Sequence, residues 1–441
     1  MRSLTVIIKE LSALPKGDVY KKVIKGRTYY YHQFFEYGRR FTIKLSDSEA
    51  VELKLEIEKR KLLEKELKAI SLDDKGIVSL SKSARNLSGY VMSEDKIIAE
   101  FEQGVLTWIN EKRAPLIIKR TKSITDFLNT RVIDTTRVNS RLLRKALNIH
   151  EEDESLLSLY SYAQSISDNY WFKPKHSKVK YKDICFNNDI YFDLALKGDT
   201  SYFPGRNKLT PEITTTGSFE KGWKKIDSHW WLYKQGTKEE IFSELVCSKF
   251  AALMNIATVN YEYEEPYIKC QNFAEQFNFE PLISIAGDND QYENTFRALS
   301  KIKESLCPYL IKLFVFDCVT NNVDRHNENC GLLRDRHTGD IIKLAPNFDN
   351  NLALISRGTV LNSDPSKDGL IKLFVDFLNK DEAAKKCFMS IDLPIIKKEE
   401  ITLIINSMPL RVETTSSIDD YIYNRYIFFL NLKQSFNNKH N

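Results

Sequence analysis

The chain has 441 residues, of which 42% are apolar and 28% are charged, with a formal net charge of +5. This length allows two or three domains, and the composition is that of a globular protein rather than a disordered or fibrous chain. The seven cysteines include no C-x-x-C pair, which argues against a zinc site or a disulfide framework. We expect a cytoplasmic protein without membrane contact, because no signal-peptide pattern and no apolar run of about 20 residues is present.

Basic residues gather near the N-terminus. Residues 1–45 contain ten basic and three acidic side chains. Alternation over 17–45 predicts a small aromatic β-meander with basic tips, and Ser46 with Glu49 predicts a capping box that opens a helix to about Ile70. Such a ribbon backed by a helix could contact DNA through residues 1–45. A solvated face on a partner-docking domain is the alternative.

The segment after this helix is less regular. Residues 71–88 are polar and predict a linker, and 88–101 predict a hairpin. A helix predicted from about Thr135 to Ile149 carries a basic stripe formed by Arg137, Arg141, Arg144 and Lys145. Residues 170–172 predict aromatic core packing, and residues 190–192 predict a short strand.

A Thr/Gly/Ser loop lies within residues 213–235, and β-like runs flank it. Gly217 and Gly222 would allow backbone N–H groups to approach a phosphate. The loop is not a Walker A motif, because Trp223 rather than lysine follows Gly222. An ordinary hairpin is the alternative interpretation.

Lys234 ends the second β-like run, and an amphipathic helix predicted over 239–253 follows it. A lysine on a half-buried strand requires an anion, and this helix offers Glu240 or Glu244. Kinases orient the phosphates of ATP with such a strand lysine and helix glutamate. A surface lysine beside a solvated glutamate is the alternative.

Asp324, Asn329 and Asp349 form the most informative pattern. They follow the apolar run 313–316, and a predicted strand pair separates Asn329 from Asp349. Phosphoryl transfer needs one carboxylate near the acceptor hydroxyl, and an amide and a second carboxylate that hold magnesium. The polar cluster at Asp324 and Asn329 would by itself indicate a turn, and so would the cluster at Asp349. The two clusters together with Lys234 favour a phosphotransferase.

With these residues in view, the chain resembles the HipA-like serine/threonine kinases, a protein-kinase-fold group of persistence-toxin type. The resemblance covers roughly residues 200–440. It implies an α+β, two-lobed kinase-like fold with a helical C-lobe, and transfer of phosphate from ATP with Mg²⁺ to protein serine or threonine (EC 2.7.11 type). The matching stretches are 216–221, Lys234 with Glu244, 322–329 and 344–349.

The resemblance also implies roles for single residues. Asp324 and Asn329 would be catalytic, and Asn329 and Asp349 would bind the metal. Relatives phosphorylate a serine in their own loop, so Ser218 and Thr216 are the autophosphorylation candidates, with Thr214 and Thr215 as further hydroxyls. The residues implied in ATP binding are Gly217, Ser218, Lys234, Glu244 and His326.

Partners follow from the same resemblance. It implies a protein substrate, such as an aminoacyl-tRNA synthetase or another translation factor, and a helix-turn-helix antitoxin. The small β-rich N-terminal part of those toxins is not recognisable in residues 1–200, where the basic ribbon stands instead.

We therefore predict four segments and keep two alternative functions. One alternative is a DNA- or partner-binding regulator on a degenerate kinase fold, and the other is a small-molecule or lipid kinase. The segments are a basic β-meander and helix module at 1–70, a linker, hairpin and basic helix at 71–150, a kinase N-lobe at 151–270 and a helical kinase C-lobe at 271–441.

Overall fold

The structure is a computed structural model of the chain. The residues that it describes are 10–11, 13–24, 26–36, 39–70, 87–102, 105–134, 137–149, 154–200, 209–217, 219–356, 364–413 and 417–438.

The chain mixes helices and sheets, as predicted. The strands are β1 Asp18–Ile24, β2 Arg27–Glu36, β3 Arg39–Leu45, β4 Gly89–Ser93, β5 Lys96–Glu102, β6 Val105–Trp108, β7 Tyr170–Pro174, β8 Lys221–Ile226, β9 His229–Lys234, β10 Glu262–Glu264, β11 Tyr267–Gln271, β12 Phe277–Pro281, β13 Gly331–Asp335 and β14 Ile341–Leu344. The helices are α1 Asp47–Ile70, α2 Leu116–Thr121, α3 Ile124–Asn129, α4 Ser140–Ala146, α5 Glu154–Leu157, α6 Tyr181–Ile184, α7 Phe192–Lys197, α8 Lys238–Leu253, α9 Ile283–Ala286, α10 Tyr292–Lys303, α11 Cys307–Thr320, α12 Gly369–Lys380, α13 Glu382–Ser390, α14 Lys398–Asn406 and α15 Ile418–Asn438.

The strands form four antiparallel sheets. Their strand orders are β1-β2-β3, β6-β5-β4-β7, β10-β11-β9-β8 and β12-β13-β14. Strand β7 pairs with β4, so the second sheet joins residues on both sides of the predicted boundary at 150/151. Among the described helices, none combines the length and the apolar character that a bilayer crossing requires.

The described N-terminal residues form three strands followed by a helix. Strands β1 to β3 form a hairpin-connected sheet, and α1 follows directly. The capping box is present: Glu49 Oε2 accepts a hydrogen bond from Ser46 N at 2.8 Å, and Ser46 Oγ accepts one from Glu49 N at 3.3 Å. The predicted linker falls largely on residues 71–86, which lie outside the described part of the chain.

Two predictions for the middle of the chain are wrong. The basic helix extends only over Ser140–Ala146, and Arg137 precedes it as a buried residue. Arg137 is held there by an ion pair with Glu212, so it cannot belong to a solvated stripe. Residues 190–192 are not a strand, because Phe192 begins helix α7 and packs against Tyr233. The hairpin at 88–101 and the buried 170–172 run are as predicted.

A buried polar network connects the second and fourth sheets. Arg334 of β13 forms an ion pair with Glu280 of β12, and its Nη1 donates to Ala114 O at 2.9 Å. The same nitrogen donates to the hydroxyl of Tyr170 on β7 at 3.2 Å. Since these groups are all buried, the network determines how the residue 87–174 sheet packs on the strands that flank the 322–350 region.

The largest hydrophobic core surrounds helix α11. Nearly every residue of this helix is buried, against α8 on one side and the C-terminal helices on the other. The helix ends at Asn321, whose φ of 54° lets the chain leave the core abruptly. The loop that contains Asp324 and Asn329 therefore starts from a rigid support.

Candidate active site

Strand β9 brings Lys234 to an open cleft. This strand lies inside its sheet, where Lys234 pairs with Lys221 of β8 and with Ile268 of β11. Only 11% of the Lys234 side chain is exposed. Because an unpaired buried ammonium group is costly, the site must supply negative charge.

Two carboxylates supply that charge. Lys234 Nζ lies 2.7 Å from Asp349 Oδ1 and 3.8 Å from Glu244 Oε2. Burial acts to lower the pKa of Lys234, but Asp349, Tyr261 and Glu244 outweigh burial and raise that pKa well above its ordinary value. Burial acts to raise the pKa of Asp349, but Lys234 and then Lys221 hold it well below its usual range. At neutral pH the lysine is therefore charged and Asp349 is ionised.

Helix α8 contributes Glu244, and not Glu240, to Lys234. Glu240 belongs to the capping box of α8, where its Oε2 accepts a hydrogen bond from Thr237 N at 2.8 Å. Glu244 is one turn further along and fully buried. Its Oε1 accepts a hydrogen bond from Asn350 N at 2.9 Å. Glu244 thus connects Lys234 to the segment that carries Asp349.

Arg325 holds the loop after α11 in place. Its buried guanidinium donates to both carboxylate oxygens of Asp317 at 3.0–3.2 Å. Its Nη1 donates to Asn329 O at 2.7 Å and to Phe348 O at 2.8 Å. One side chain therefore binds the end of the Asp324 loop and the residue next to Asp349. The sequence patterns assign Arg325 no role, although a lone acid in the apolar helix, Asp317, was a signal that a buried cation must pair with it.

Three buried asparagines complete this network. Arg325 Nη2 donates to Asn347 Oδ1 at 2.7 Å and to Asn350 Oδ1 at 2.8 Å. Asn322 Nδ2 donates to Asp317 Oδ1 at 3.2 Å and to Asn350 Oδ1 at 3.3 Å. Burial raises the pKa of Asp317, although Arg325 acts to lower it. The desolvation of this carboxylate is therefore only partly offset by its partners.

Asp324 and Asn329 are connected through the loop backbone. Asn329 Nδ2 donates to Asp324 O at 3.2 Å, which leaves Oδ1 as the amide oxygen that can face a cation. Asp324 N donates to Asn322 Oδ1 at 3.3 Å, and the Asp324 side chain is partly exposed. Asp349 has a φ of 61°, a left-handed conformation that aspartate adopts more readily than most residues.

His326 contacts its own loop. Its Nδ1 accepts a hydrogen bond from Glu328 N at 3.3 Å and lies 3.7 Å from Glu328 Oε2. Within the described contacts its ring is not joined to Lys234 or Asp349. The structure therefore brings Lys234, Glu244 and Asp349 together directly, whereas the described contacts of the His326 ring stay within its own loop.

Lys221 is a second buried lysine at the cleft, and the sequence patterns assign it no role. Its Nζ lies against Gly217, where a Cβ atom would clash with it and where φ is 91°. Burial lowers the pKa of Lys221 to about 8, with Lys234 and Arg137 acting in the same direction and Asp349 against them. The available signal was its place at the start of the strand that pairs with the Lys234 strand.

The hydroxyl groups of the loop before β8 differ in hydrogen bonding and in exposure to solvent. Thr214 Oγ1 and Thr215 Oγ1 both donate to Pro211 O, at 3.2 and 2.7 Å. Thr216 is exposed, and Ser218 lies outside the described residues. The element before the loop is a 3₁₀ turn, Pro211–Thr214, and not a β-run, because a proline follows the Thr210 cap.

Gly222 and the Arg137–Glu212 ion pair lie at the base of this loop. Gly222 lies within β8, where a Cβ atom would be 3.0 Å from Phe192 Cδ2, so it permits the packing of α7 and not an approach to phosphate. Arg137 Nη2 lies 3.0 Å from Glu212 Oε2 and also donates to Lys221 O. Glu212 Oε1 accepts a hydrogen bond from Trp223 N at 2.7 Å. This buried pair therefore holds the start of β8.

The residues at the cleft fit a nucleoside triphosphate with magnesium. The lowered pKa of Lys221 marks a buried cation that its neighbours do not neutralise, and phosphate oxygens would neutralise it. Asp349 at the cleft and Asn329 at the end of the Asp324 loop carry carboxylate and amide oxygens, the ligand types that magnesium prefers. The glycine at 217 permits close approach of a backbone or phosphate beside Lys221.

Known proteins provide only distant comparisons. No family model matches the chain, and no curated protein matches it. Among solved structures, the proinflammatory kinase CtkA of Helicobacter pylori is similar, with 17% identity and a TM-score of 0.37 over 48% of this chain and 90% of CtkA. HipA of Shewanella oneidensis MR-1, solved with HipB and operator DNA, is also similar, with 11% identity and a TM-score of 0.46 over 79% of this chain and 97% of HipA. Both structures are less than 25% identical to the chain and have TM-scores below 0.5.

Proposed function

We propose that this protein transfers phosphate from ATP, with magnesium, to serine or threonine hydroxyls of proteins, its own loop included. The observation that carries the proposal is the meeting of Lys234, Glu244 and Asp349 at one cleft. Arg325 holds the Asp324–Asn329 loop against the same segment. A regulator that used this fold only as a platform would need none of these contacts.

Each residue has a distinct proposed role. Lys234 and Lys221 bind phosphate oxygens, and Glu244 keeps Lys234 oriented. Asp349 and Asn329 hold magnesium, which neutralises the charge of the phosphates when it is bound. Asp324 orients the acceptor hydroxyl and accepts its proton, as its partly exposed position permits.

We also propose a two-lobed arrangement around the cleft. The sheet β10-β11-β9-β8 with α8 would form the N-lobe, and the helices from α10 to α15 with the Asp324 loop would form the C-lobe. The cleft is lined from both, by Lys221 and Lys234 on one side and by Asp349 and Asn351 on the other. A protein substrate and a helix-turn-helix antitoxin remain predictions from the resemblance.

Self-phosphorylation provides the direct test. After incubation with Mg-ATP, intact-mass spectrometry of the wild type should show the gain of one phosphate, and peptide mapping should place it at Thr216 or Ser218. Thr216 is exposed in the loop, whereas the Thr214 and Thr215 hydroxyls are hydrogen-bonded to Pro211. The Asp324→Ala variant should gain none. Absence of both phosphate gain and ATP binding in the wild type would overturn the proposal, and a labelled small molecule without labelled protein would favour a small-molecule or lipid kinase.

The lowered pKa of Lys221 predicts a pH-dependent affinity for ATP. Below about pH 8 the side chain is a cation, and above it the free lysine loses its proton. Because phosphate binds the cation, binding above this pH requires proton uptake, and KM for ATP should rise by up to about tenfold per pH unit. In Lys221→Arg, which stays charged, KM should be nearly constant between about pH 7 and 9.

A matched control lies on the same strand. Lys224→Arg should keep the wild-type pH profile, because Lys224 stacks over the Phe192 ring and does not line the cleft within the described residues. Steady-state kinetics at saturating acceptor give the profiles. A flat wild-type profile, or a Lys221→Arg profile identical to it, would rule out Lys221 as a phosphate ligand.

A further inference from the structure

The N-terminal sheet has two chemically different faces. Strand register and the two-residue period place Lys22, Arg27, Tyr29, Tyr31, Arg40 and Lys44 on one face, which we call the basic face. The opposite face includes Val19, Phe34, Ile43 and Leu45, together with one exposed cation, Lys21. Four of the six basic residues in the three strands therefore share one face.

Helix α1 lies against all three strands of the sheet. Val19 and Leu45, on the face opposite to the basic face, are half-buried, whereas Val23, Phe41 and Ile43 on that face are exposed. The helix packs on the sheet and buries Ala50, Ile57 and Leu63. The four cations of the basic face are all exposed to solvent.

The positive charge belongs to the sheet and not to the helix. The three strands contain six basic and two acidic residues, whereas α1 contains six basic and seven acidic residues. The acid on the basic face, Asp18, is already paired with Lys61 of α1 at 2.5 Å. Within the described part of the chain, Lys22, Arg27, Arg40 and Lys44 form no salt bridge. Four unneutralised cations on one small face attract a polyanion.

We infer that the basic face binds the phosphate backbone of double-stranded DNA without strong sequence preference, as a function separate from the proposed phosphotransferase. Lys22 and Lys44 lie on the two outer strands, while Arg27 and Arg40 lie where β2 and β3 begin. Tyr29 and Tyr31 lie between them on the central strand, and Lys44 Nζ is 4.4 Å from the centre of the Tyr29 ring. The cations therefore surround a flat tyrosine surface.

The size of the sheet favours duplex DNA over duplex RNA. Three strands about 4.8 Å apart span about 10 Å, close to the roughly 12 Å width of the DNA major groove. The major groove of A-form RNA is too narrow and deep for such an element. With the central strand over the groove, cations on both outer strands can reach phosphates on both walls.

The test is fluorescence anisotropy of the full chain with a labelled random-sequence duplex of about 20 base pairs, measured from about 50 to 200 mM salt. The wild type should bind with a log–log salt slope of about −3 to −4, as expected for four phosphate contacts. Arg27→Glu/Lys44→Glu should weaken binding at least about tenfold and reduce the slope by about two. Asp324→Ala should bind like the wild type, which separates this inference from the proposed function.

The matched control carries the same change of charge on the helix. Lys54 and Lys59 are exposed on α1, so Lys54→Glu/Lys59→Glu should change DNA affinity by less than about threefold. Circular dichroism establishes that both double variants are folded. The inference is overturned if the wild type does not bind the duplex at 50 mM salt, if both variants lose affinity equally, or if single-stranded RNA or an acidic protein binds this face more tightly than the duplex does.

Discussion

Replacing Asp324 with asparagine should slow phosphoryl transfer by about two to four orders of magnitude, the usual effect of losing a positioned general base. An amide of the same size cannot accept the hydroxyl proton. The backbone contacts of residue 324, to the Asn322 and Asn329 side chains, do not depend on the carboxylate, so the loop should keep its shape. The measurement is the initial rate of radiolabel incorporation at saturating Mg-ATP, with nucleotide affinity measured separately and expected to change by less than about threefold.

Glu328 offers the control for this variant. It is an exposed carboxylate in the same loop, so Glu328→Gln removes an equal charge at a position without a proposed role. Its transfer rate should stay within about threefold of the wild type. If Asp324→Asn were as active as Glu328→Gln, Asp324 would not be the residue that orients the hydroxyl.

Replacing Arg325 with leucine should lower the free energy of unfolding by about 3–5 kcal/mol, the cost of breaking a buried ion pair from one side. The change would leave the buried Asp317 carboxylate without its cation and remove the donors to Asn329 O and Phe348 O. The raised pKa of Asp317 shows that the destabilisation of this carboxylate by burial is larger than its stabilisation by Arg325 and Asn322. Urea unfolding near pH 7 measures the difference.

Arg297 is the control for this prediction. It forms an ion pair with Glu293 on the surface of α10, with 62% of its side chain exposed. Arg297→Leu should therefore cost no more than about 1 kcal/mol. The double variant Asp317→Asn/Arg325→Leu should be more stable than Arg325→Leu alone, because no unpaired charge remains. The proposed role of Arg325 in holding the loop would be contradicted if Arg325→Leu lowered the free energy of unfolding as little as Arg297→Leu does.

Local patterns determined much of this protein directly from its sequence. The meander, the Ser46 capping box and the α8 helix depend on contacts between residues close in sequence. Their periodicity and capping signals are consequently readable without the fold.

Only the tertiary structure decided which partners these residues have. Lys234 and Asp349 are 115 positions apart, and a strand pattern shows which face a lysine occupies but not what lies opposite. The choice of Glu244 over Glu240 depends on how α8 packs over the Asp349 segment. Arg137 was predicted on a solvated stripe because helical periodicity carries no information about Glu212, a buried carboxylate 75 residues away. Buried charges that are distant in sequence come together only in the folded core. The proposed roles of Arg325 and Lys221 follow from their positions in that core.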